Sequence, residues 1–226
     1  MHEHGESEKG HLEHHHTVLE EIICHFPYAI FSVAMGMILL SMLTFVSCEQ
    51  EQAAMSYRLF HNFHFLHILF AATGTMLTFR RFSANVWLGI IVSLTVPTFF
   101  CTISDAFLPY LGGKMMGLDM HFHWCFLSHL DTVLPFLIAG ILNGWAMSSH
   151  KNNIRMFYSF GFHFFHIFVS SMAAILYLVS FGFYGWWEQM GIVFLYLIIA
   201  VLIPCTLSDI VVPMMFARSH SGRKTP

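Results

Sequence analysis

The chain reads Phe63-His64-Phe65-Leu66-His67-Ile68 at one point and Phe162-His163-Phe164-Phe165-His166-Ile167 at another, and five of the six residues agree. A second motif returns in the same order, as Cys101-Thr102-Ile103-Ser104-Asp105 and as Cys205-Thr206-Leu207-Ser208-Asp209. Two more histidines, His25 and His129, each stand 80 residues before the aspartate of one of these motifs. Polar groups are costly inside a membrane and mark functional sites there, so their duplication predicts such a site.

The composition indicates an all-α integral membrane protein. Of the 226 residues, 56% are hydrophobic and only 10% are charged, whereas soluble domains carry about 25% charged residues. A helix needs about 20 apolar residues to cross the hydrocarbon core. Six stretches qualify and predict six transmembrane helices, at 20–46, 58–79, 87–111, 122–146, 156–182 and 188–215. The sequence has no basic stripe of the kind that would indicate a nucleic-acid partner.

The positive charges predict how the helices are oriented. With six spans, eight of the ten lysines and arginines fall on the side of the N-terminus, and only Arg58 and Lys114 fall on the other side. Loops rich in lysine and arginine stay in the cytoplasm. Both termini are therefore expected to be cytoplasmic.

The order of the motifs predicts two copies of a three-helix unit. Each unit carries a histidine, then His-x-x-His, then Cys-Thr-x-Ser-Asp, on three successive helices. Because three crossings are an odd number, the second copy enters the membrane from the opposite face, as in the inverted repeats of secondary transporters. The predicted divisions are a cytoplasmic His-rich tail, the first repeat, the second repeat and a cytoplasmic basic tail, over 1–18, 19–113, 114–216 and 217–226.

Depth along each helix, at about 1.5 Å per residue, predicts two groups of side chains, one toward each membrane face. Toward the face opposite the N-terminus the expected group is His64, His67, Asp105 and His129, with Cys101 optional. Toward the N-terminal face it is His163, His166, Asp209 and His25, with Cys205 optional. The first histidine of each repeat is thus expected to complete the site of the other repeat.

Three imidazoles and a carboxylate suit a divalent transition metal, and zinc, iron, manganese, cobalt and nickel all fit the predicted groups. The thiolate of either motif favours the softer of these ions. Ser104 and Ser208 are expected to hydrogen-bond the ligands, and the proline four residues after each motif is expected to free a backbone carbonyl. Zinc or iron is the expected ion, with haem as the alternative cofactor.

These features favour a transporter over an enzyme. Histidine must lose a proton to bind metal, so the sequence predicts a proton-coupled secondary transporter with two pseudo-symmetric sites. The expected partners are the lipid bilayer, metal ions and protons, and homo-oligomerisation is left open. The N-terminal tail is expected to bind metal loosely, through His2, His4, His11, His14, His15 and His16.

Two other functions stay open. A di-haem, b-type electron-transfer subunit would draw its axial pairs from the same histidines, with His129 and His25 each facing one histidine of the other repeat. A membrane metalloenzyme with a carboxylate–histidine centre would concentrate its ligands in one place. The enzyme becomes the stronger alternative if the histidines of the two halves meet at the midplane.

Overall fold

The computed structural model describes residues 18–46, 49–122, 124–149 and 152–221, and these ranges are helical apart from short turns. The helices are α1 (Val18–Val46), α2 (Glu49–Phe82), α3 (Val86–Thr102), α4 (Leu108–Met115), α5 (Cys125–Ser128), α6 (Leu130–Ser148), α7 (Asn152–Ser180), α8 (Met190–Thr206) and α9 (Val212–Ser221). The predicted His-rich tail, up to residue 17, lies outside the described residues.

The predicted multi-pass, all-α membrane protein is confirmed. Five helical segments of the described residues are long and apolar enough to cross a bilayer: His25–Leu43, Val86–Met115, Leu130–Ser148, Gly161–Ser180 and Trp186–His220. The segments Val86–Met115 and Trp186–His220 each contain several consecutive helices of the chain. These five segments match five of the six predicted spans.

Helix α2 is the sixth predicted span, and it is less apolar than the others. Its 34 residues extend about 50 Å at 1.5 Å per residue. It packs against α3, α6 and α7, and its polar side chains His64, His67, Thr73 and Thr75 are all buried. A helix enclosed by its neighbours can carry such residues, because protein groups rather than lipid surround them.

Helices α2 and α6 lie side by side and run in the same direction. A methyl group on Gly140 would meet the carbonyl oxygen of Leu69, and one on Gly144 would meet that of Thr73, so the contact advances along both helices. The Thr73 hydroxyl also donates to the carbonyl of Gly140 at 3.0 Å. The two glycines let the backbones approach closely, as small residues do between membrane helices.

Helices α1 and α7 form a second parallel pair. His25 lies against His163, with ring centroids 4.7 Å apart, and further along both helices Gly36 lies against Met172. Each of the two pairs therefore joins a helix from the first half of the chain to a helix from the second half.

Both Cys-Thr-x-Ser-Asp motifs end in a π-helical turn. The turns are Ile103–Phe107, between α3 and α4, and Leu207–Val211, between α8 and α9. In each, the amide after the turn bonds the carbonyl five residues back, and the next residue is a proline with no N–H to continue the ladder. The carbonyl of Ser208, left free in this way, accepts from the Thr75 hydroxyl of α2 at 3.0 Å. Such turns often occur at functional sites.

The fourth span begins later than the sequence predicted. The expected start was residue 122, but the long helix α6 starts at Leu130, after an irregular segment and the single turn of α5. His129 has non-helical backbone angles, with φ −133° and ψ 38°. His129 therefore stands at the start of the span instead of two turns inside it.

Replacing Gly140 by alanine is expected to lower the melting temperature. The new Cβ would lie 2.5 Å from the Leu69 carbonyl oxygen and 2.9 Å from the Cβ of Ala72. Neither neighbour is a flexible tip, and overpacking of this kind costs about 1–3 kcal/mol. Tryptophan fluorescence during heating of the detergent-purified protein measures the change. Gly161→Ala is the control, because a methyl group there meets nothing within 4 Å; equal losses in both variants would contradict the prediction.

Candidate metal centre

The two His-x-x-His motifs meet where α2 crosses α7. The Nε2 atoms of His67 and His166 are 2.9 Å apart, the ring planes are nearly perpendicular, and both side chains are buried. Cys205 of α8 places its sulfur 3.5 Å from His67 Nε2. The three donor atoms lie within 4.8 Å of one another. We call His67, His166 and Cys205 the central group, and it could hold a metal ion.

The spacing of the central group is close to that of tetrahedral zinc ligands. Zinc bonds of about 2.0–2.1 Å to nitrogen and about 2.3 Å to sulfur put two nitrogens roughly 3.3 Å apart and nitrogen and sulfur roughly 3.5 Å apart. The observed distances are 2.9 Å and 3.5 Å, so the two rings would separate only slightly to admit the ion. Cys101 of α3, which is also buried, lies within hydrogen-bonding reach of His67 and offers a further donor.

An aspartate from a π-helical turn stands behind each histidine of the central group. His67 Nδ1 donates to Asp105 Oδ2 at 2.7 Å, and His166 Nδ1 lies 3.0 Å from Asp209 Oδ2. A carboxylate in this position fixes the tautomer and the orientation of the ring, and leaves Nε2 to bind the metal. The sequence predicted both aspartates as ligands; in this geometry neither belongs to the central group, Asp105 accepts from Nδ1 of His67, and Asp209 faces Nδ1 of His166.

Asp105 is fully buried, and both of its carboxylate oxygens are hydrogen-bonded. A second histidine, His64, donates to Oδ2 at 2.9 Å. Oδ1 accepts from Ser104 at 2.7 Å and from Ser170 of α7 at 2.8 Å. The sequence analysis missed Ser170. Its signal was a hydroxyl four residues after His166, on the same helix face.

Asp209 has fewer hydrogen bonds although it is almost equally buried. Its Oδ1 has no hydrogen-bond partner among the described residues, and neither has the hydroxyl of the preceding Ser208. His163 Nδ1 is 3.9 Å from Oδ2, beyond hydrogen-bonding distance. A cavity beside the carboxylate has a volume of about 10 Å³ in which the centre of a water molecule can move. This is room for about one water or ion. The polar residues of its wall are His25, His163, His166, Cys205, Thr206 and Asp209.

The two groups that the sequence placed toward opposite faces are joined. His67 belongs to the group predicted around Asp105 and His166 to the group predicted around Asp209, and these two rings are in direct contact. Helices α2 and α7 cross in opposite directions, as the contact between Phe70 and Phe162 shows. The second histidine of each motif falls at the crossing, so the two predicted groups touch each other through these histidines.

The first histidines of the two repeats take unequal places. His25 lines the cavity beside Asp209, as predicted. The predicted place of His129 beside Asp105 is corrected: its ring lies against His61 and Phe65, with centroids 5.1 Å and 6.4 Å away. The late start of α6 is the reason, because it leaves His129 at the start of the span, next to the turn of α2 that precedes His64.

Comparisons with models of protein families, with curated proteins and with solved structures found no match to this chain. The function therefore has to be inferred from the chemistry of the site itself.

Proposed function

We propose that the chain is a proton-coupled secondary transporter, which carries a divalent transition-metal ion of the zinc class through the central group. The observation that carries this proposal is the contact of His67 with His166 beside Cys205, with a carboxylate behind each imidazole. Imidazole and thiolate donors select transition metals over Mg²⁺ or Ca²⁺. The donors come from α2, α7 and α8, so movement between these helices would assemble or open the group.

The transporter is built, in this proposal, as a 3+3 inverted repeat with both termini in the cytoplasm. The duplicated motifs support it, as do the two π-helical turns and the two parallel helix pairs. An inverted repeat has a pseudo-twofold axis in the plane of the membrane. The contact of His67 with His166, one residue from each half, fits a position on that axis. A site there is equally far from both faces, as alternating access requires.

Metal and protons would compete for the same atoms of the central group. Two Nε2 atoms 2.9 Å apart share a hydrogen, because two facing lone pairs would repel each other, while both Nδ1 atoms face carboxylates. A metal ion would displace that hydrogen, and the Cys205 thiol would also lose its hydrogen on binding. Two protons would leave as one divalent ion binds, so the net charge of the buried group would stay constant.

The test measures zinc and protons together. Detergent-purified protein should bind Zn²⁺ near neutral pH, release protons in a calorimetric titration repeated in buffers of different ionisation enthalpy, and lose affinity as the pH falls. Reconstituted in vesicles, it should move Zn²⁺ against a flow of protons. Tight binding with a Zn²⁺ flux that does not depend on the proton gradient would contradict the proposed proton coupling. An absence of Zn²⁺ binding would contradict the proposed metal site.

A membrane metalloenzyme is the second candidate, because the histidines of the two halves share one centre. An enzyme also needs space for a substrate beside its metal, and the cavity at this site has about 10 Å³. A larger cavity of about 460 Å³ has mostly apolar walls, formed by Pro27, Tyr28, Phe31, Gly161 and Phe164. Transport of a bare ion needs no substrate space, so the transporter is favoured. The haem alternative has less support, because the contact between His67 and His166 leaves no gap for a porphyrin.

A further inference from the structure

We propose that the cavity beside Asp209 is a second cation site, and that the Asp105 side of the cluster has no counterpart. The site would hold an ion of the same class as the central group, using Asp209, His163 and His25. This inference rests on the proposed function, since it assigns the second site to the ion that the central group carries.

The first argument is the unequal hydrogen bonding of the two aspartates. Asp105 accepts from two imidazoles and two hydroxyls. Asp209 is 2% exposed, yet its Oδ1 has no hydrogen-bond partner among the described residues. A buried charged oxygen without a partner is costly, and it acquires a hydrogen-bond donor or a cation. The cavity whose wall includes Asp209 has room for one small ion.

One difference in sequence between the two halves contributes to the inequality. Ser170 of α7 donates to Asp105 Oδ1, and the corresponding residue of α2, 99 positions earlier, is Ala71. Gly74 stands one turn after Ala71 on the same helix face, and a methyl group on it would lie 2.6 Å from Asp209 Oδ2. Helix α2 therefore passes close to Asp209 at Gly74, and the repeat gives it a methyl group at the position where α7 offers Asp105 a hydroxyl.

The remaining ligands are already beside the cavity. His163 Nδ1 and Asp209 Oδ2 are 3.9 Å apart, too far for a hydrogen bond but within a small movement of the roughly 3.3 Å that separates two ligands of one tetrahedral zinc ion. The ring of His25 stands edge-on to that of His163, 4.7 Å between centroids. Two imidazoles and a carboxylate form a ligand set for zinc, iron or cobalt.

The cavity is also the part of the cluster that is nearest to the outside. The His163 side chain is 22% exposed, whereas His166 and Asp105 are almost fully buried. His25 lies two turns from the described start of α1, on the N-terminal side of the span. His166 borders both the cavity and the central group. An ion at Asp209 would therefore stand one step from the central group, on the route to the N-terminal side.

Titration of the purified full-length protein with Co²⁺ separates the two sites, because Cys205 is a ligand of the central group and the ligands proposed for the second ion, Asp209, His163 and His25, include no sulfur. The wild type should bind two ions, one with a thiolate-to-cobalt charge-transfer band and one with d–d absorption alone. Ala71→Ser, which gives Asp209 the missing hydroxyl, should weaken the second ion by about tenfold or more and keep the charge-transfer band. Ala54→Ser is the matched control, and it should keep both ions because Ala54 is exposed near the start of α2, ten residues before His64.

Other results of the Co²⁺ titration would contradict one of the two sites. A single ion with the charge-transfer band in the wild type, or an undiminished second ion in Ala71→Ser, would overturn the second site and leave the central group standing. A single ion without that band would support the second site and remove the central group. His25→Ala provides a second test in case Ala71→Ser does not fold. It removes a side chain from the cavity wall and should weaken binding of the second ion; unchanged binding in this variant would overturn the assignment.

Discussion

His166→Ala is expected to abolish zinc binding at the central group and to reduce zinc flux in vesicles to that of empty vesicles. The substitution removes one of three donors within 4.8 Å of one another, and it also removes the ring whose Nε2 lies 2.9 Å from that of His67. Loss of a group that only orients a ligand costs about 10–100-fold in metal affinity, so loss of the ligand itself should exceed about 100-fold. Calorimetric titration of the purified variant and vesicle flux measure the two effects.

His129→Ala is the matched control for this experiment. The sequence placed His129 in a metal site, whereas the structure places its ring against His61 and Phe65, at the start of α6. Zinc affinity of the central group should therefore stay within about twofold of the wild type, a difference of about 0.4 kcal/mol. A large loss in His129→Ala with binding intact in His166→Ala would reverse the assignment and restore the site predicted from sequence.

The sequence was sufficient for those parts of the structure that depend on depth and composition. Six apolar stretches predicted the helical membrane protein. Counting about 1.5 Å per residue also indicated that each His-x-x-His motif would lie level with an aspartate from another helix. The structure brings His64 and His67 to Asp105, and His166 to Asp209. The depths of these residues follow from counting along the helices and need no knowledge of packing.

The rotation of each helix about its axis and the residues at which helices begin could not be predicted by counting residues. Which ring nitrogens of His67 and His166 face each other depends on how α2 and α7 are turned about their axes, and packing of the whole bundle sets that turn. The seven residues between the predicted start at 122 and His129 correspond to about 10 Å along a helix. Because an irregular segment precedes α6, His129 does not reach that depth in the span, and the predicted contact of His129 with Asp105 does not form.

Asp105→Ala is expected to cause the largest loss of stability of any substitution in the site. The buried imidazoles of His64 and His67 would lose their acceptor, whereas Ser104 and Ser170 would keep longer contacts to the Cys101 carbonyl and to Ser104 Oγ. Each unsatisfied buried group costs about 1–3 kcal/mol, and the interior of a membrane protein offers little water to replace the bond. Two such groups would remove a large part of the stability of a typical domain, about 5–15 kcal/mol. Size-exclusion chromatography of the detergent extract should show little folded protein.

Two further variants separate this structural role from the positioning of the metal ligand. Asp209→Ala should fold better than Asp105→Ala, since His166 alone among the described residues lies within hydrogen-bonding distance of that carboxylate; equal yields would contradict the unequal bonding of the two aspartates. Asp105→Asn keeps the volume and one acceptor oxygen, so it should fold. Its amide cannot hold His67 Nδ1 as a carboxylate does, and zinc affinity should fall by about 10–100-fold. Folded Asp105→Asn protein with unchanged zinc affinity would show that Asp105 supports only the fold, and that His67 needs no carboxylate behind it.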